Sequence, residues 1–167
     1  NTGAPIPDII VSVGGQLSFT DANGLFAFNG LQAGTHNALF YAINGAYRSF
    51  QQGATIVDGK TTPAEVRLSP NEPVEVTFLV TPPNDAIGAP IYIAGNFAQF
   101  GNTFTDLTGS MSIESNRIPQ LSLQNDGKLS KTVTLYSGTD FRFKFTLGDG
   151  YWNAELNPDN DVVTRQL

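Results

Sequence analysis

The chain contains no cysteine among its 167 residues, which removes disulfide staples, thiolate metal sites and thiol catalysis and leaves stability to apolar burial. Charge is scarce too. Only 14% of residues are charged, with 9 Lys and Arg against 15 Asp and Glu. The net charge of −6 argues against nucleic acid or an anionic membrane surface, because either needs a basic patch that so few dispersed cations do not supply. A neutral partner fits better. No apolar run is long enough to span a bilayer, so no membrane insertion is expected. The chain opens at Asn1 with neither an initiator Met nor a signal-peptide pattern, and reads as a piece of a longer protein with covalently attached neighbouring domains. The single histidine, His36, has no Asp or nucleophile at triad spacing, so no catalytic residue is assigned and an enzyme is not expected.

Sustained helical periodicity is also missing. Two-residue alternation recurs instead, broken by turn residues drawn from 17 Gly and 10 Pro, and the expected class is all-β. Ile9, Val11 and Val13 form one alternating run; Leu17 and Phe19 lead into Asp21-Ala22-Asn23-Gly24, with Phe26 and Phe28 beyond, which predicts an early hairpin across that turn. Strands are expected over 36–43, 54–57 and 65–68, with a turn at Asn44-Gly45. The proline-containing segment Ser69-Pro70-Asn71-Glu72-Pro73 is the linker candidate, since proline cannot donate to a ladder and alternation restarts at Val74. Two small antiparallel β-sandwich domains, 1–72 and 73–167, follow from that boundary. Up to Pro70, Arg48, Lys60 and Arg67 nearly balance Asp8, Asp21, Asp58 and Glu65, so most of the net negative charge lies beyond it.

The most informative stretch is FRFKFTLGDGYWNAE, from Phe141 to Glu155. Phe141, Phe143, Phe145 and Leu147 share one face of a strand, and Arg142, Lys144 and Thr146 share the other, giving a buried and a wet side. Gly148-Asp149-Gly150 then makes a turn that carries Tyr151 and the only tryptophan, Trp152. An aromatic at a hairpin tip suits the C–H face of a sugar ring. Covering roughly 100 Å² at about 25 cal/mol per Å² stabilises by about 2.5 kcal/mol, so one ring binds weakly and two or more must cooperate.

Two resemblances sharpen these expectations. With PIPDIIVSVGG, TDANGLFAFNGLQAG and THNALFYAINGAYRSF, the first domain resembles a carboxypeptidase regulatory-like domain, a transthyretin-like β-sandwich. Only Gly3-Ala4-Pro5-Ile6 stands where that family has its first strand, so the resemblance implies that this strand is missing or upstream. With VEVTFLV, PIYIAGNFAQFGN and FRFKFTLGDGYWNAELNPDNDVVTRQL, the second domain resembles the starch-binding carbohydrate-binding modules, an immunoglobulin-like β-sandwich. That resemblance implies a polysaccharide partner, an α-glucan, and a secreted or cell-surface location. Trp152 matches the late platform aromatic, Lys144 the lysine and Glu155 the nearby carboxylate, while Phe104 or Phe100 stands in for the early tryptophan.

The candidate glycan-binding residues are therefore Trp152, Tyr151, Lys144, Glu155, Asn153, Phe104 and Phe100, with no metal and no cofactor. Each has an ordinary alternative: Trp152 as an end plug, Lys144 as a solvated cation, Asn153 as a turn residue, Phe100 and Phe104 as core. Asp21 and the Asn157, Asp159, Asp161 loop look faintly like calcium ligands but lack the remaining carboxylates of an oxygen cage. The rival function is a structural spacer or protein-interaction module that binds no glycan.

Overall fold

Alternation becomes antiparallel ladder in ten strands among the described residues, and the protein is all-β. The computed structural model describes residues 3–101, 118–148 and 153–167. The chain divides into two compact units, Asn1–Glu72 and Pro73–Leu167.

In the first unit, β1 (Ile9–Val13), β2 (Gln16–Phe19), β3 (Gly34–Ala42) and β4 (Phe50–Ile56) form one sheet in the order β2-β1-β3-β4. Ile9, Val11 and Val13 on β1 and Ala38, Phe40 and Ala42 on β3 make its buried face. The early hairpin differs from expectation. Leu17 and Phe19 pair back on Ser12 and Ile10 across Gly14-Gly15, so β2 partners β1 rather than the Phe26-Phe28 segment. Phe26 and Phe28 lie in no strand and instead lay their rings against the core, Phe26 edge-on to Phe40 at 5.5 Å. A short glycine turn closes a tight hairpin, which satisfies the β2 backbone and leaves the later phenylalanines to cover the sheet as a second layer.

Val66 and Leu68 complete that layer, also without ladder pairing. Beyond them, the amide N–H of Arg48 donates to Ser69 O and that of Asn71 to Ala46 O, both at 2.9 Å, and Asn71 Nδ2 donates to Gly45 O at 2.9 Å. Residues 69–71 of the expected linker are thus tied into the first unit. Thr20 fastens its other end: Thr20 Oγ1 accepts from the Ile9 N–H at 2.9 Å and donates to Ile6 O at 2.7 Å. These bonds satisfy a buried donor that would otherwise cost about 1–3 kcal/mol.

The second unit is a two-sheet sandwich. One sheet, ordered β5-β8-β7, joins β5 (Pro73–Val80), β8 (Leu129–Tyr136) and β7 (Ser122–Leu123); the other, β10-β9-β6, joins β10 (Arg165–Gln166), β9 (Arg142–Thr146) and β6 (Tyr92–Gly95). Phe78 from β5 fills the space between them, edge-on to Phe143 at 5.0 Å, Phe141 at 6.4 Å and Phe145 at 6.5 Å. Such edge-to-face pairs add about 0.5–1.5 kcal/mol beyond their buried area. Short 3-10 turns at Asn84–Ala86 and Ala98–Phe100 flank β6, and Phe100 enters the core.

Gly95 shows how closely this core is packed. A Cβ there would sit 2.6 Å from Cε2 of Phe141 and 3.1 Å from the Arg142 carbonyl. The Phe141 ring cannot swing aside, because it stacks on Phe143 at 5.3 Å and on Phe97 at 5.5 Å. Next in the chain, Asn96 clasps the start of β9: its Nδ2 donates to Asp140 O at 2.8 Å and its Oδ1 accepts from Arg142 N–H at 3.0 Å.

Candidate functional site

The strand β9 runs into a hairpin as its sequence predicts. Glu155 N–H donates to Phe145 O at 2.9 Å, Leu147 N–H donates to Asn153 O at 3.0 Å, and Thr146 and Ala154 are bridged between them. Thr146 braces the turn from inside, accepting from the Gly148 N–H at 3.1 Å and donating to the Gly148 carbonyl. Asn153 is exposed, with its side-chain amide close over Gly148. Tyr151, Trp152 and Phe104 lie outside the described residues.

Glu155 is held from behind. Arg165 Nη1 and Nη2 donate to its two carboxylate oxygens at 2.5 and 2.8 Å, and the guanidinium carbon stands 5.2 Å from the centroid of the Phe145 ring. The hydrogen bonds to Glu155 raise the Arg165 pKa above its ordinary value. A planar fork on a carboxylate and an aromatic face beneath it are the two contacts for which arginine is suited. No sequence signal marks this pair. Ten positions separate the partners, and they meet because the chain reverses at Asn157–Asp161: Asn157 Oδ1 accepts from the N–H groups of Asp159 and Asp161, both at 2.9 Å, and Val163 N–H returns to Glu155 O at 2.9 Å.

Two of the expected ligand groups are placed elsewhere. Lys144, assigned to a wet face, is only 2% exposed, beside Ala94 in register on β6 at 3%. Alternation correctly opposes Lys144 to the phenylalanines, but this outer face of the sheet is itself covered. Burial lowers the Lys144 pKa, because a desolvated ammonium is disfavoured. Phe100, offered as a second stacking surface, is 1% exposed and 4.6 Å from the Phe141 ring, so it has no free face for a sugar. It is a core residue. The left-handed non-glycine residues in the described chain are Asp8 and Asn160, so Asn96 acts through its side-chain clasp and not through a left-handed backbone.

No protein-family model matches the chain, and no curated protein matches it. The site's own chemistry must carry the reading. Around the hairpin, Leu147 and Leu156 are exposed apolar side chains at 47% and 52%, and Leu147 pairs with Asn153, which is also exposed. Such a mixture of apolar surface and neutral hydrogen-bonding groups suits a ligand that is uncharged and amphipathic. In the first unit, a cleft of about 530 Å³ is floored by Ile9, Phe40 and Leu68. The charges on its rim, Glu65 and Arg67, pair with one another at 3.6 Å. His36, in the same unit, places Nε2 2.7 Å from Gln32 O.

Proposed function

We propose that the second unit is a non-catalytic glycan-binding module, which holds a larger secreted or cell-surface protein on an α-glucan or related polysaccharide. The observation that supports this reading is the register of the β9 hairpin. Because Leu147 pairs with Asn153, the loop between them carries Tyr151 and Trp152 in its sequence, and Asn153 and Leu147 flank it as exposed polar and apolar groups. Tyr151 and Trp152 would supply stacking, and Asn153 hydrogen bonds to hydroxyls. Glu155 joins this set as the carboxylate that fixes the hairpin's outgoing strand through Arg165. Weak affinity suffices when a tethered neighbour binds the same polymer, since the second contact is then intramolecular.

Affinity electrophoresis in soluble starch, with titration calorimetry against β-cyclodextrin, tests this on the chain and on Trp152→Ala. Retardation of the native chain, lost in the variant at unchanged melting temperature, is expected. Equal mobility with and without every glucan tried would overturn the reading.

The spacer alternative has observations on its side: Lys144 and Phe100 are buried, which withdraws two groups from an exposed platform, and Glu155 is engaged by Arg165 through both oxygens. Tryptophan fluorescence separates the two readings, because Trp152 is the sole emitter of its kind. Efficient acrylamide quenching, relieved by glucan, supports the binding module. A shielded Trp152 supports the spacer.

A further inference from the structure

Three Asn-Gly pairs occur in the chain, Asn23-Gly24, Asn29-Gly30 and Asn44-Gly45, and their surroundings differ sharply. At Asn23 the Gly24 N–H donates to Asp21 O at 2.9 Å and the Asn23 N–H to Asp21 Oδ1 at 2.8 Å, within a turn packed against Pro5 and Ile6. At Asn44 the Gly45 N–H donates to Ala42 O at 3.0 Å, Asn44 Oδ1 accepts from the Ala46 N–H at 2.9 Å, and Gly45 is buried. Asn29 and Gly30 are both exposed, in irregular backbone, and among the described residues neither the Asn29 amide nor the Gly30 N–H makes a hydrogen bond.

We propose that Asn29 is a self-modification site, at which the chain deamidates spontaneously while Asn23 and Asn44 are protected. The Gly30 nitrogen loses its proton and attacks Cγ of Asn29. A new N–Cγ bond forms, the Cγ–Nδ2 bond breaks, and ammonia leaves, closing a five-membered imide. Water then opens the imide at either carbonyl, leaving aspartate or isoaspartate. No oxidant, metal or cofactor enters the balance.

The attacking nitrogen must be free to deprotonate and to approach the side chain. Gly30 has no Cβ to obstruct that approach, and among the described residues no hydrogen bond holds its N–H. At Gly24 and Gly45 a backbone hydrogen bond must first break, and at Asn44 the side-chain bond as well. The product matters to the fold. Both outcomes add a negative charge, and isoaspartate inserts one carbon into the backbone between Phe28 and Leu31, which both pack on the first unit's core.

The intact chain, aged at mildly alkaline pH and mapped by peptide mass spectrometry, gives the rate at each asparagine. Conversion at Asn29 is expected to exceed that at Asn23 and Asn44 by about tenfold or more, the factor that one hydrogen bond can carry. Anion exchange should show an acidic species growing with time, which Asn29→Gln abolishes. In Asp21→Ala, which removes the side-chain bonds to the Asn23 and Leu25 N–H groups and so loosens the turn that keeps the Gly24 N–H on Asp21 O, conversion at Asn23 should rise. Equal rates at the three sites, or a faster Asn23 or Asn44 in the native chain, would overturn the proposal.

Discussion

Arg165 takes both carboxylate oxygens of Glu155 while resting over the ring of Phe145, so one side chain joins the strand leaving the hairpin to the strand that closes the sheet. The pair is partly exposed, at 36% and 40%, and solvent screening limits what it contributes. Its bidentate geometry places it toward the upper part of the range for exposed pairs, about 0.5–1 kcal/mol. Glu155→Gln and Arg165→Met should each lower stability by about that amount, and the double variant should cost less than their sum. Urea denaturation of the four chains measures the coupling. Strict additivity would mean the pair makes no net contribution.

Gly95→Ala should cost more, although it adds one methyl group. That carbon would lie 2.6 Å from a Phe141 ring already stacked between Phe97 and Phe143, and 3.1 Å from backbone at Arg142. Overpacking of this kind costs about 1–3 kcal/mol. If the ring is what the methyl meets, Phe141→Leu in the Gly95→Ala background should be less damaging than in the native chain. Equal damage in the two backgrounds would place the conflict at the Arg142 carbonyl.

Alternation made β5, β8 and β9 legible, because a two-residue period says which residues share a face. It does not say whether the second face is covered. Lys144 and Thr146 read as wet and are buried at 2% and 4%, because a strand's own period carries no information about what packs on its second face. Likewise Phe26 and Phe28 alternate like a strand yet act as a lid on Phe40, because Gly14-Gly15 had already turned β2 back on β1. Glu155 was legible as a carboxylate beside the hairpin, but its arginine lies beyond a second turn. Tyr151 and Trp152 remain the residues on which the functional reading depends.

The burial of Lys144 predicts a dependence of stability on alkaline pH. Its pKa is lowered in the fold, so between that value and the ordinary lysine value the unfolded chain binds more protons than the folded one. Stability from this group therefore rises with pH across that window and is least favourable below it. The slope is no steeper than about 1.4 kcal/mol per pH unit for one proton. Lys144→Met should remove this rise, read from urea midpoints along an alkaline series. An identical slope in the variant would mean that Lys144 is as well solvated in the fold as in the unfolded chain.

Asp21 and Asn157 build the same turn from different chemistry, and the acid side of the stability profile should tell them apart. In each, Oδ1 accepts from the N–H groups two and four residues ahead, at 2.8 and 2.9 Å for Asp21 and 2.9 Å twice for Asn157. The fourth residue of each turn is left-handed, Gly24 at φ 70° and Asn160 at φ 65°. For Asp21 the backbone donors at Leu25 and Asn23 lower the carboxyl pKa, and its stabilisation is present above the ordinary carboxyl value and lost as pH falls through the lowered one. Asn157 cannot titrate. Asp21→Asn keeps the acceptor and should flatten that acid loss while changing neutral-pH stability little, whereas Asp21→Ala should weaken the turn where the carboxylate is charged. Asp126, lowered mainly by the Lys128 N–H, is untouched by either change and leaves a residual acid slope in both. Denaturation midpoints from neutral to strongly acidic pH measure the difference, and an unaltered acid slope in Asp21→Asn would show that the turn does not sense the charge of Asp21.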